Sequence, residues 1–238
     1  MHLDIDIGNT FLKWRLVSGQ QVVQKGSALT KEFGVTVFES IADQAVDKIR
    51  VGSVANEERC DQLALACQRI WKLEPLFAKT AQQCAGVVNS YLDPSKMGVD
   101  RWLAMIAAYK AVNKAVVVVD CGSAITVDYL AADGQHQGGY IIPGLRLMRE
   151  SLLQNTAQVR FEKDQKEGVT HPGVSTAEAV LHGSAYLFKA LAHELKRDLS
   201  PDMEMFITGG DGVLMYDLVA AGRYEPDLVM DGLVWVCG

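Results

Sequence analysis

Two stretches of this chain, 114 residues apart, read as copies of one another. Residues 3–10 are LDIDIGNT and residues 117–124 are VVVDCGSA, so that Asp6 falls on Asp120, Gly8 on Gly122 and Asn9 on Ser123. Residues 2–7 alternate apolar and polar side chains, as a half-buried strand does. Residues 116–119 are a continuous β-branched run, expected of a strand buried on both faces. A glycine turn follows each copy, and each leads a meander: further strands are predicted over 11–17 and 21–25 after the first, and over 123–130 and 137–142 after the second. The offset is close to half of the 238 residues. It therefore predicts two similar halves, 1–112 and 113–238, where a solenoid would show a much shorter period.

Taken alone, Asp-x-Gly at a strand end is a tight hairpin turn. Two such turns at equivalent places point to a shared task. Glycine lets backbone N–H groups approach a phosphate with no Cβ in the way. Asn9, Thr10 and Ser123 add side-chain donors, and an aspartate at each strand end can hold a cation directly or through water. One turn from each half gripping a polyphosphate would supply much of what phosphoryl transfer needs, which is positioning and charge neutralisation. A duplicated strand–Asp-x-Gly–strand unit resembles the actin-like (ribonuclease H-like) fold. That likeness implies an α/β protein of two subdomains facing each other across a central cleft.

The remaining pattern fits such a frame. A helix over 98–112 places Trp102, Met105, Ile106 and Tyr109 on one face. Asn56 caps a helix reaching Trp71, with Leu63, Ala66, Cys67 and Ile70 together on one side. Residues 37–47 read as a short amphipathic helix, 49–54 and 75–79 as strands, and 81–97 as loop. A helix starts near Pro143, with Leu145, Met148 and Leu152 as its core face. A long helix covers 176–197, and a strand over 203–207 ends in TGGDG.

Composition excludes several classes of function. The net charge of −6 offers no basic footprint for nucleic acid. The five cysteines are scattered and form no CxxC pair, so neither a zinc site nor a dithiol motif is expected. Two aspartates within the first six residues argue against a signal peptide, and no apolar run is long enough to span a bilayer. A cytoplasmic protein with reduced thiols, binding neither nucleic acid nor membrane, is expected. His193-Glu194 lacks the second histidine of HExxH, no GxxxxGK[ST] loop occurs, and GGDG at 209–212 lacks dinucleotide-binding spacing.

Five segments, in order, resemble the motifs of type III pantothenate kinases. DIGNTFLK at 6–13 is similar to the family's first phosphate motif. GVDR at 98–101 resembles its GxDR motif at a helix start. DCGSAIT at 120–126 resembles its second phosphate motif, with Ser123 where threonine is commoner; the hydroxyl donor is kept. GGYIIPGLRLM at 138–148 is similar to its glycine-rich segment, which reads first as a packing turn, and TGGDG at 208–212 resembles its nucleotide-end motif.

The resemblance implies ATP-dependent phosphorylation of pantothenate to 4'-phosphopantothenate, the first step of coenzyme A biosynthesis. It implies ATP bound by Asp6, Ile7, Gly8, Asn9, Thr10, Phe11, Leu12, Lys13 and Ser123. Lys13 can reach the phosphates if its face of the strand, shared with Phe11 and opposite to Leu12 and Trp14, is the open one. Asp6 would orient magnesium through water, and Asp120 would bind a monovalent cation, potassium or ammonium. Asp100 would be the general base, since an alcohol is a poor nucleophile until its proton has somewhere to go; a carboxylate that only complements the helix dipole is the alternative. Gly98, Val99, Asp100 and Arg101 would meet substrate, Arg101 as a fork of donors or else as a surface salt bridge. Tyr91 and Thr176 would line the pantothenate pocket, Thr176 being equally a good helix N-cap. The resemblance further implies a homodimer with a shared active site. Two other readings stay open: a non-enzymatic nucleotide-binding regulator of the related Bvg accessory factor type, and a kinase or phosphatase of the same fold with another substrate.

Overall fold

The alternating segment becomes β1 (His2–Ile7), the middle strand of a five-stranded sheet ordered β3-β2-β1-β4-β5. β2 (Phe11–Ser18) and β3 (Gln21–Leu29) continue it as an antiparallel meander, while β4 (Lys48–Ser53) and β5 (Leu76–Phe77) add parallel to the other side. Leu3, Ile5 and Ile7 join Leu12, Trp14 and Leu16 in a core closed by Phe38, Ile41, Leu63 and Cys67. The last two come from α1 (Glu57–Trp71), where the Asn56 side chain accepts the Arg59 N–H at 3.1 Å as expected of a cap.

The computed structural model describes residues 1–32, 34–154 and 169–238. Two expectations change in its first half. Residues 35–41 form a 3-10 helix and not the longer α-helix read over 37–47. Phe38 and Ile41 stand three apart and are both fully buried, which suits the tighter winding. The segment read as loop holds a small hairpin, β6 (Gln83–Cys84) and β7 (Val87–Val88), turned by Ala85 and Gly86, both at positive φ. α2 (Val99–Val112) then follows.

The second half repeats the plan. β8 (Ala115–Cys121), β9 (Ala124–Leu130) and β10 (His136–Pro143) form a meander, and β11 (Met203–Thr208) and β12 (Arg223–Tyr224) complete a sheet ordered β10-β9-β8-β11-β12. α3 (Leu145–Gln154), α4 (Thr176–Asp198) and α5 (Gly212–Val219) accompany it. Its core gathers Val117, Val119, Ile125, Val127, Phe188, Met205 and Ile207. Pro143 closes β10 and does not open α3. On α3, Leu145 is buried whereas Leu152 is 53% exposed, so the expected core face stops short of it.

α6 (Leu228–Val236), not anticipated from the sequence, belongs with the first half. The chain divides into one unit of Met1–Asn113, Leu130–His136 and Asp227–Gly238, and a second of Lys114–Tyr129 and Gln137–Pro226. α6 packs on α2 so closely that a Cβ on Gly232 would lie 2.2 Å from the Leu103 carbonyl oxygen. Asp231 on α6 accepts from Arg15 Nη1 at 2.5 Å. β1 is consequently buried on both faces. Asp4, on the side read as water-facing, is 0% exposed, with its two oxygens taken by Arg50 Nε at 2.7 Å and Arg15 Nε at 3.1 Å. Among the described residues no helix is long and apolar enough to cross a membrane.

Candidate active site

In the first unit the turn after β1 is closed by the Gly8 N–H donating to Phe11 O at 2.9 Å. Thr30 braces it from the end of β3: its hydroxyl donates to Gly8 O at 2.8 Å and its N–H to Thr10 O at 2.9 Å. Ile7 and Leu12 point into the core, while Asn9 and Phe11 are exposed. The alternation expected along β2 holds: Leu12 and Trp14 are buried, and Phe11 and Lys13 take the other side. Asp6 is the cross-strand partner of Lys13, which sets opposite charges side by side.

The start of α2 lies against the same strand ends. The Val54 N–H donates to Ile7 O at 3.0 Å, and a Cβ on Gly98 would sit 3.9 Å from the Val54 side chain. Gly98 has a second reason to be glycine. Its Cβ would also fall 2.5 Å from Asp100 Oδ1, because that carboxylate folds back over the helix start, where it accepts the Arg101 N–H at 2.8 Å. Arg101 is only 7% exposed, so it is no surface salt bridge. Its Nη1 donates to Tyr91 Oη at 2.9 Å and its guanidinium lies 5.8 Å from the Tyr91 ring centroid. Tyr91, Gly98, Asp100 and Arg101 thus form one group.

Residues not singled out from the sequence support it. Asn89, buried at 2% exposure, accepts the Tyr91 N–H at 2.9 Å. His136 stacks at 6.3 Å from the Tyr91 ring and shares a 2.8 Å hydrogen bond with Ser90. An asparagine two residues before Tyr91 is a readable Asx-turn signal. Nothing local marks His136, which reaches Ser90 from 46 residues away.

In the second unit three glycine-bearing segments converge around Asp120. Gly122 donates to Ala124 O at 3.0 Å, Gly144 to Ser123 O at 3.1 Å, and the Asp211 N–H to Cys121 O at 2.9 Å. A Cβ on Gly209, which sits at φ +91°, would come within 2.5 Å of Asp120 Oδ1, and one on Gly144 within 2.5 Å of Gly122 O. The packing role expected for the segment ending in Gly144 is therefore met. Thr176 is the exposed first residue of α4 and not its cap. Ser175 is the cap, accepting the Glu178 N–H at 3.2 Å while Glu178 Oε2 accepts the Val174 N–H at 2.7 Å, a reciprocal arrangement.

The donor sets suit hard cations. Among the described residues no group of three or more His, Cys, Asp or Glu could hold a metal ion. Single carboxylates at Asp6 and Asp120, beside backbone oxygens, fit ions that draw most of their ligands from water and phosphate. Two thiols are held in their neutral form: burial pushes Cys67 up to about 12, and burial, with Asp120 and Asp211 nearby, pushes Cys121 up as well. All five cysteines are free.

A family model described as type III pantothenate kinase matches residues 2–198. A type III pantothenate kinase of Pseudomonas aeruginosa is 39% identical over 248 aligned positions, covering 100% of this chain and 99% of the relative. Among solved structures, a protein assigned to the Baf family of transcriptional activators from Campylobacter jejuni superposes with a TM-score of 0.61 at 21% identity, covering 98% of this chain and 95% of the other. A protein assigned as 2-dehydro-3-deoxygalactonokinase from Sinorhizobium meliloti gives 0.55 at 11% identity, with 98% and 97% covered. At these identities the structures establish the fold alone, a mixed α/β arrangement of duplicated actin-like subdomains.

Proposed function

We propose that this chain, which belongs to the type III pantothenate kinase family and phosphorylates pantothenate with ATP in coenzyme A biosynthesis, uses Asp100 as its general base. The observation that carries the assignment is the carboxylate folded over Gly98 at the start of α2, beside an Arg101 held by Tyr91. Asp100 takes the proton of the pantothenate hydroxyl as that oxygen attacks the γ-phosphorus. The new O–P bond forms, the bond to the β-phosphate oxygen breaks, and ADP leaves with its electron pair. Arg101 is held in place before substrate arrives, so its guanidinium meets the substrate or the transferring phosphoryl group without first being ordered.

The two lobes proposed from the repeat are residues 1–112 and 113–238, with residues 130–136 and 227–238 of the latter grouped with the first unit. Asn9, Thr10, Lys13 and Ser123 contact the ATP phosphates through backbone and side-chain donors, with Asp6, Ile7, Gly8, Phe11 and Leu12 shaping the ATP-binding turn that presents them. Asp6 would hold magnesium through water and Asp120 a monovalent cation; bound there, both would neutralise phosphate charge. Tyr91 and Thr176 line the pantothenate pocket, Thr176 as part of a homodimer that shares its active sites. A net charge of −6 and five free cysteines accord with the cytoplasmic location proposed for it.

Replacing Asp100 by Asn is expected to lower kcat by about 100- to 10,000-fold, read from ADP release, while ATP binding and the melting temperature stay near the parent's. Turnover close to the parent's in that variant would remove Asp100 from the mechanism. Sedimentation as a monomer at all concentrations would remove Thr176 from a shared site.

A further inference from the structure

At the end of β1 away from Gly8, the first unit holds a cavity of about 370 Å³. Its size is that of a small-ligand site. Arg15 and Arg50 line it, 9% and 6% exposed as residues. The hydrogen bonds around them are unevenly used. Asp4 is fully buried and both of its oxygens are taken, one by each arginine. Arg50 engages the protein through Nε alone, and Arg15 through Nε and Nη1. Among the described residues, the Nη groups of Arg50 and Nη2 of Arg15 therefore have no hydrogen-bond acceptor in the protein, and they are not among the fully buried unpaired atoms. Both Asp4 oxygens are engaged, while guanidinium donors remain open. Asp231, the other carboxylate on the wall, has a side chain 45% exposed and is bound to Arg15. Val17, Val22 and Val234 supply an apolar wall.

We infer that this cavity is a second ligand site, separate from the kinase residues, for a small organic acid or phosphoester. Its anionic head would take the open guanidinium N–H groups of Arg50 and Arg15, and its aliphatic body would lie on the valines. Guanidinium groups pair with carboxylate and phosphate through parallel, charge-assisted hydrogen bonds, which favour this class over neutral or cationic ligands. The partners are already in place: Asp4 locks both arginines from behind, so little ordering remains to be done on binding.

The test is an amide NMR titration of the ¹⁵N-labelled full chain, with isovalerate in one arm and inorganic phosphate in the other. Saturable shifts of the Gly19, Gln20 and Val234 amides are expected in the millimolar range or tighter, and the arm that saturates identifies the head group. Phosphate bound at the ATP turn would instead move Gly8 and Asn9 and is read separately. Val22→Trp, at a wall position 40% exposed and so not needed for folding, is expected to abolish the shifts by filling the cavity. Arg50→Lys is expected to weaken binding about tenfold by removing the fork. No saturable shift with either anion, or shifts that persist in Val22→Trp, would overturn the assignment.

Discussion

The two hairpin turns that open the sheets begin alike and are held differently. After β1 the turn is Gly8, Asn9 and Thr10; after β8 it is only Gly122 and Ser123, so Thr10 has no counterpart. The first is braced by hydrogen bonds from Thr30, just past the end of β3. The second is braced by contact, with Gly144 and Gly209 pressed against it where no side chain would fit. The sheets behind them differ in the same spirit. In matching registers, Asp4 faces Arg50 in the first sheet and Val118 faces Phe206 in the second. One sheet buries an ion cluster where the other buries hydrocarbon. Duplication has kept strand order and turn position, which backbone geometry dictates, and has let the buried chemistry diverge.

The sharpest way to break this comparison is Asp4→Ala. It would leave Arg15 and Arg50 buried around a lost carboxylate, at a cost of about 3–5 kcal/mol in urea unfolding. The matched change Val118→Ala removes two buried methyl groups and is expected to cost roughly 2 kcal/mol. Equal losses would mean that the ion cluster is no more demanding than the aliphatic pair. Gly209→Ala comes next. Its positive φ alone carries strain of about 1–3 kcal/mol, and overlap with Asp120 and Cys121 adds to it, so a lower melting temperature and lost activity are expected together. Thr30→Val tests the other bracing and should cost about 1 kcal/mol for its hydroxyl bond. Gly8→Ala should be the mildest for stability, under about 1 kcal/mol, because a Cβ there meets only Phe11 O at 3.3 Å. A Gly8→Ala protein less stable than Gly209→Ala would invert the contrast between the turns.

The repeat is legible in the sequence because its turns need glycine at fixed places and its strands need apolar alternation. The grouping of Gly98, Asp100 and Arg101 is legible for a similar reason: the three sit on one helix start. What escapes the sequence is whatever depends on distant partners. Asp4 reads as a solvent-side residue because nothing near it in sequence announces Arg15, Arg50 and α6. α6 itself, LVMDGLVWV, is apolar nearly all round and lacks the periodicity that marks a surface helix. β5, β6, β7 and β12 are two residues each, too short to carry a pattern. His136 joins Tyr91 only through the path of the chain between the units.

That α6 closes the first unit has a bearing on how the molecule is made. On the ribosome, β1 to β5 can pair once Phe77 has emerged, and α2 soon afterwards. The helix that covers α2 and supplies Asp231 to Arg15 is not synthesised until every element of the second unit has been. The face of α2 that packs on α6 at Leu103 therefore has no partner until residues 228–236 have been translated, although α2 is encoded early.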